Sequence, residues 1–214
     1  MRKFVKLKLF FVIIICVLIF SGHSSKAVDF EIWTFVGGQT KIRNMDFSFH
    51  SANFFREGAD YFLNHTQLTL DFPSTKNVSF GIGYKQEYVE FPAHWRAEYR
   101  PMLHLYYEKN WGDFNFRDRN RWEFRFIEGK LINRYRNQVQ LMYKKFKVFS
   151  PTISTEFSFY FNKLNYSRQR TIVGSFIHVK NLNFILFLGH QINKDFPGVW
   201  NHKIMLGTGM SYKF

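Results

Sequence analysis

Between Phe114 and Ile127 the chain reads FNFRDRNRWEFRFI. Arg117, Arg119, Arg121 and Arg125 take odd positions with Glu123 among them, while Phe116, Trp122, Phe124 and Phe126 take even ones. A strand's period of two sends these sets to opposite faces. Guanidinium groups at this density are forks for carboxylate or phosphate oxygens. Arg134 and Arg136 repeat the pattern one segment later and face the same way if the two segments form a hairpin. Six guanidiniums on one face need partners, because each unpaired buried charge costs several kcal/mol. Glu108, Glu123 and Glu156 are the expected partners, with Glu87 and Asp71 as further candidates. Two chemistries fit: an ion-pair ladder that fills an interior, or an anion-attracting passage or pocket for phosphate or carboxylate groups.

What must position these residues is a set of strands. Period-2 alternation recurs in segments of about ten residues, and no stretch shows a period of 3.6. Turn residues at 71–77, 111–113, 144–150 and 180–183 separate the segments, with longer polar connections expected at 51–60, 91–100, 128–133, 162–168 and 193–201. The pattern predicts ten strands: 40–50, 61–72, 78–90, 101–111, 114–127, 134–144, 151–161, 168–179, 183–192 and 202–214. Residues 28–38 hold either another short strand or a lead-in.

Leu68, Leu70 and Phe72 share one face, as do Phe80, Ile82 and Tyr84, and Ile153, Phe157 and Phe159. Opposite them stand Gln67, Thr69 and Asp71, then Ser79, Gly81 and Lys85, then Ser154, Glu156 and Ser158. A soluble barrel would turn the apolar face inward, and a membrane barrel outward. The end of the chain chooses the second. Leu206, Thr208, Met210, Tyr212 and Phe214 alternate with Gly207, Gly209, Ser211 and Lys213, and Met210, Tyr212 and Phe214 resemble the C-terminal assembly signal of bacterial outer-membrane proteins.

The start of the chain agrees. Arg2, Lys3, Lys6 and Lys8 precede an apolar run from Leu9 to Phe20 and a small, polar stretch ending at Ala27, the three-part pattern of a secretory signal peptide over residues 1–27. The run is too short for a spanning helix, and Cys16 lies within it, so the expected mature chain of residues 28–214 has no disulfide framework. With 30 basic and 16 acidic residues the chain carries +14, and losing five basic residues with the signal leaves about +9. That charge suits anionic lipids; no nucleic-acid-binding motif is present, and an exported chain rarely meets nucleic acid. The 28 phenylalanines require an apolar environment that lipid supplies. An even strand count would put both ends of the chain in the periplasm.

Asn110-Trp111-Gly112-Asp113, the Arg117 to Arg125 strand, and Asn133-Arg134-Tyr135-Arg136-Asn137 together resemble the outer-membrane proteins grouped as domain of unknown function 2490. The resemblance is tightest over residues 100–145, and it implies a barrel without naming an activity. Gly189-His190-Gln191-Ile192-Asn193 is similar to the His-x-Ser-Asn of outer-membrane lipid hydrolases, but Ile192 stands at the serine position, so the nucleophile is missing. His104 shares a face with Glu108 and can pair with it. No His, Asp and Glu residues cluster at metal-ligand spacing. The expectation is therefore an all-β, antiparallel transmembrane barrel of outer-membrane type in a Gram-negative bacterium, with no catalytic residue, cofactor or metal. Its partners would be outer-membrane lipids and lipopolysaccharide, periplasmic chaperones and the barrel-assembly machinery.

Overall fold

The computed structural model describes residues 29–91, 94–146, 148–161, 165–194 and 200–214; the expected signal peptide lies outside the described residues. Eleven strands form: β1 (Asp29–Ile42), β2 (Met45–Arg56), β3 (Asp60–Pro73), β4 (Val78–Phe91), β5 (His94–Trp111), β6 (Phe114–Ile127), β7 (Lys130–Tyr143), β8 (Phe149–Tyr160), β9 (Asn165–Val179), β10 (Leu182–Lys194) and β11 (Trp200–Lys213). They close into one barrel in chain order, each strand antiparallel to the next.

The seam between β1 and β11 is the exception. It is parallel, running from Asp29 opposite Lys203 to Gln39 opposite Lys213. This corrects the expectation of ten strands: residues 29–42 form a full strand, and the odd count puts Asp29 and Phe214 at opposite rims rather than together. A period of two was hard to see there because Trp33 and Phe35 alternate with Ile32, Thr34 and Val36, apolar on both faces.

The expected long connections at 51–60 and 128–133 shrink to three residues, 57–59, and two, 128–129, while those at 91–100, 162–168 and 193–201 lie partly outside the described residues. Glu128 and Gly129, with φ of 48° and 77°, close β6 onto β7 in two residues, since positive φ at both positions matches the twist of a tight hairpin. β5 spans 18 residues and absorbs much of the supposed 91–100 connection, because Arg96, Glu98 and Arg100 keep alternating with Trp95, Ala97 and Tyr99.

Strands of 12 to 18 residues exceed the 9–11 a tilted strand needs to cross a bilayer. The outer wall carries Phe30, Ile32, Leu68, Phe80, Ile82, Leu103, Trp122, Phe126, Leu186, Leu188 and Leu206, all exposed. Alternation therefore turns the apolar face outward, as a barrel surrounded by hydrocarbon requires. None of the described residues forms a helix long and apolar enough to cross a membrane.

The interior is divided. On the β1, β2, β10 and β11 side Trp33, Ala52, Phe54, Phe187 and Met205 make an apolar cluster, joined by Phe35, Leu63, Ile172 and Ile185. Rings meet edge to face there, Trp33 lying 4.7 Å from Phe54 and 6.2 Å from Phe187. Gly207 lets Phe187 lie against β11, since a Cβ would fall 2.0 Å from its ring. The remaining wall, from β4 to β9, is lined with charge.

Candidate functional site

Parity on β6 sends Arg117, Arg119, Arg121, Glu123 and Arg125 into the lumen and Phe116, Trp122, Phe124 and Phe126 to the outer wall. In the β6–β7 ladder Arg121 stands opposite Arg136 and Glu123 opposite Arg134. Glu123 is 1% exposed and takes three guanidiniums: Arg134 Nε donates at 2.7 Å, Arg136 Nη1 at 2.9 Å, and Arg121 Nε lies 3.0 Å away. Glu156, projecting from β8, pairs closely with Arg136. It also has Arg119, Arg121 and Arg170 at 3.6, 3.7 and 3.8 Å.

A second tier lies toward the rim where β5 starts. Glu98 accepts from Arg100 and from Arg125, whose Nη2 is 2.9 Å away. Arg100 also reaches Glu87 at 2.5 Å, and Lys85 Nζ lies 2.7 Å from the same carboxylate. Arg125 bonds Tyr160 as well. At the junction with the apolar half, the Arg170 guanidinium lies 4.5 Å over the ring of Trp33, whose Nε1 donates to Glu31; Glu31 in turn accepts from Lys203 across the seam.

The expected site residues thus divide. Arg119, Arg121, Glu123, Arg125, Arg134, Arg136 and Glu156 meet in the network. Arg117 and Glu108 do not join it: they face each other near the β5–β6 turn at 4.0 Å, both about half-exposed, with Arg117 packed 4.6 Å over Tyr106. Glu108 instead accepts from Asn115 at 2.8 Å. His104 does not pair with Glu108 either; its Nδ1 lies 2.7 Å from the Tyr106 hydroxyl.

Glu98, Arg100, Arg168 and Arg170 are the residues that sequence reasoning missed. Continuing the alternation of β5 upstream through Pro101 would have found the first two. No local signal marks Arg168 and Arg170, whose hydrogen bonds go to neutral amides, Asn193 at 2.9 Å and Gln191 at 2.6 and 2.8 Å. In the two tiers together eight cations, Lys85 and Arg100, 119, 121, 125, 134, 136 and 170, share four carboxylates, Glu87, Glu98, Glu123 and Glu156, while Arg168 bonds only the Asn193 amide among the described residues.

Away from the lumen, His190 of the Gly189–Asn193 stretch faces outward on β10 and stacks on His202 of β11, Nε2 to Nδ1 3.2 Å. On the opposite wall Asp118 and Asn120 also face outward. There Asn137 donates to Asp118 at 2.6 Å, and Tyr135 donates to Asn120. At the chain's end Met210 and Tyr212 face outward, Phe214 packs 4.8 Å from Tyr212, and its N–H donates to Gln39 O at 2.9 Å. Among the described residues no group of three or more His, Cys, Asp or Glu could hold a metal.

An apolar outer wall, a closed sheet and a charge-filled interior define a β-barrel of outer-membrane type. The chain belongs to the family described as protein of unknown function (DUF2490), whose model matches residues 30–202. Among solved structures it is similar to LpxR from Salmonella typhimurium, at 11% identity and a TM-score of 0.51, over 78% of this chain and 84% of that one. KdgM porin matches at 16% identity and a TM-score of 0.46, over 76% of this chain and 90% of that one. No curated protein matches.

Proposed function

We propose that this is an exported barrel of a Gram-negative outer membrane whose lumen is a narrow, anion-favouring constriction rather than a wide solute channel. The observation that carries the reading is the excess of cations over carboxylates at mid-lumen. Arginine cannot relieve such an excess by losing a proton, so a fixed positive field fills the constriction and favours anions over cations. The apolar outer wall supports the membrane setting, and lipids and lipopolysaccharide are the neighbours it would meet there. In the same reading Met210, Tyr212 and Phe214 present the assembly signal to chaperones and the assembly machinery. The network is primarily structural, holding the wall from β4 to β9 together across the interior.

Purified barrel in a planar bilayer tests the reading. The expected result is small current steps with a reversal potential set by anions, weakened by Arg119→Gln. Large unselective steps, cation preference or no current would overturn it.

A further inference from the structure

The way the arginines are partnered at mid-lumen points to more than a passing preference. Glu156 has one close partner, Arg136, while Arg119, Arg121 and Arg170 stand off at 3.6 to 3.8 Å, beyond hydrogen-bond range. Arg168 reaches no carboxylate among the described residues; its Nε donates to the amide oxygen of Asn193. Between them lies a hydroxyl with nothing to bond. Ser158, two residues beyond Glu156 on the same face, is 0% exposed, and its Oγ has no partner. In the ladder it stands opposite Arg136 on β7 and Arg168 on β9. The Nε atoms of Arg121 and Arg136 are likewise buried with no hydrogen-bond partner.

We infer that this part of the lumen is a binding site for a phosphate-type oxyanion, held by Arg136, Arg168 and Arg170 with Ser158 Oγ as a neutral donor. Three features select that class. Guanidinium forks match the oxygen spacing of phosphate and bind it through paired N–H groups. A hydroxyl donor beside them suits an anion with several acceptor oxygens. The charge to be met exceeds one, so a divalent anion neutralises it better than chloride. Glu123 and Glu156 oppose the anion, but five arginines already share them. The oxyanion is either free phosphate or the phosphate group of a larger molecule, which share this chemistry.

The inference rests on the anion-favouring reading and is tested apart from it. Barrel purified in detergent without phosphate is melted in rising inorganic phosphate, and in sodium chloride at matched ionic strength. The expected result is a saturable upward shift with phosphate that chloride does not reproduce. Half-saturation should move at least tenfold higher in Arg168→Gln and in Ser158→Ala, and stay put in Arg117→Gln. Arg168→Gln removes a repelling charge, so without phosphate it should melt no lower than the unaltered barrel, which keeps the comparison free of misfolding. Native mass spectrometry covers an anion that is carried through purification. A bound mass of one phosphate identifies the free ion, and a larger phosphorus-containing mass identifies a carrier molecule; either should be lost in Arg168→Gln.

Equal effects of phosphate and chloride with no bound mass, or a Ser158→Ala barrel that responds like the unaltered one, would overturn the site. A barrel that binds phosphate but carries no current keeps the site and loses the passage. One that conducts anions without binding phosphate does the reverse.

Discussion

Glu123 is the residue on which the lumen depends most. Three guanidiniums converge on a side chain that is 1% exposed. Replacing it removes the compensation for charges that cannot titrate away, and breaking a buried pair costs about 3–5 kcal/mol. Glu123→Gln should therefore lower the unfolding free energy of the barrel, measured by urea titration in micelles, by that amount. Glu108→Gln, at a half-exposed pair, should change it by about 1 kcal/mol or less. The sequence made Glu123 legible because it sits among arginines of its own strand. Glu108 belongs to the neighbouring strand, so its place depended on register, and register set it opposite Arg117 near the turn rather than inside. Arg168 and Arg170 were illegible for a different reason: their partners are amides on another strand, and neutral residues leave no charge pattern to read.

At the scale of the strand, most of the wall was readable because one face of each strand meets lipid and the other a polar interior, which imposes a period of two. β1 and β10 break that rule because their inward faces line the apolar half of the lumen, so both sides are apolar. In β10 Ile185 and Phe187 point inward while Leu186 and Leu188 point outward. Close strand packing there leaves no room at Gly174, where a Cβ would lie 2.5 Å from Leu186 O and 2.6 Å from Phe187 Cβ. Gly174→Ala should force β9 from β10 and cost about 1–3 kcal/mol, seen as a smaller folded fraction on an unheated gel. The parallel seam has its own test. Ile32 and Leu206 are register partners on the outer wall. Cysteines at these two positions should form a disulfide on oxidation, whereas Ile32 with Met210 should not. The reverse outcome would mean that β1 does not run parallel to β11.

For the molecule as a whole, closure around a charged interior and an apolar exterior predicts a protein that partitions into detergent and runs faster on a gel when unheated than when boiled. A product soluble without detergent would contradict the outward placement of Phe80, Ile82, Leu186 and their neighbours. The fold class was legible at this scale because alternation, an aromatic-rich composition and the terminal strand all agree. The strand count was not, since counting depended on β1, where both faces are apolar and the alternation does not show.

The seam also fixes an order of events. Every other pairing in the wall joins strands adjacent in sequence, whereas β1 must wait for β11, and the Lys203 to Glu31 bond across the seam joins residues 172 positions apart. Distant pairings carry the largest loop-closure cost and form last. Until the final strand arrives, β1 presents a bare row of backbone donors and acceptors on a largely apolar strand, the kind of edge that captures stray chains. The unfinished barrel is thus at its most vulnerable along Asp29 to Gln39, and shielding that stretch is the service this chain most needs while it folds.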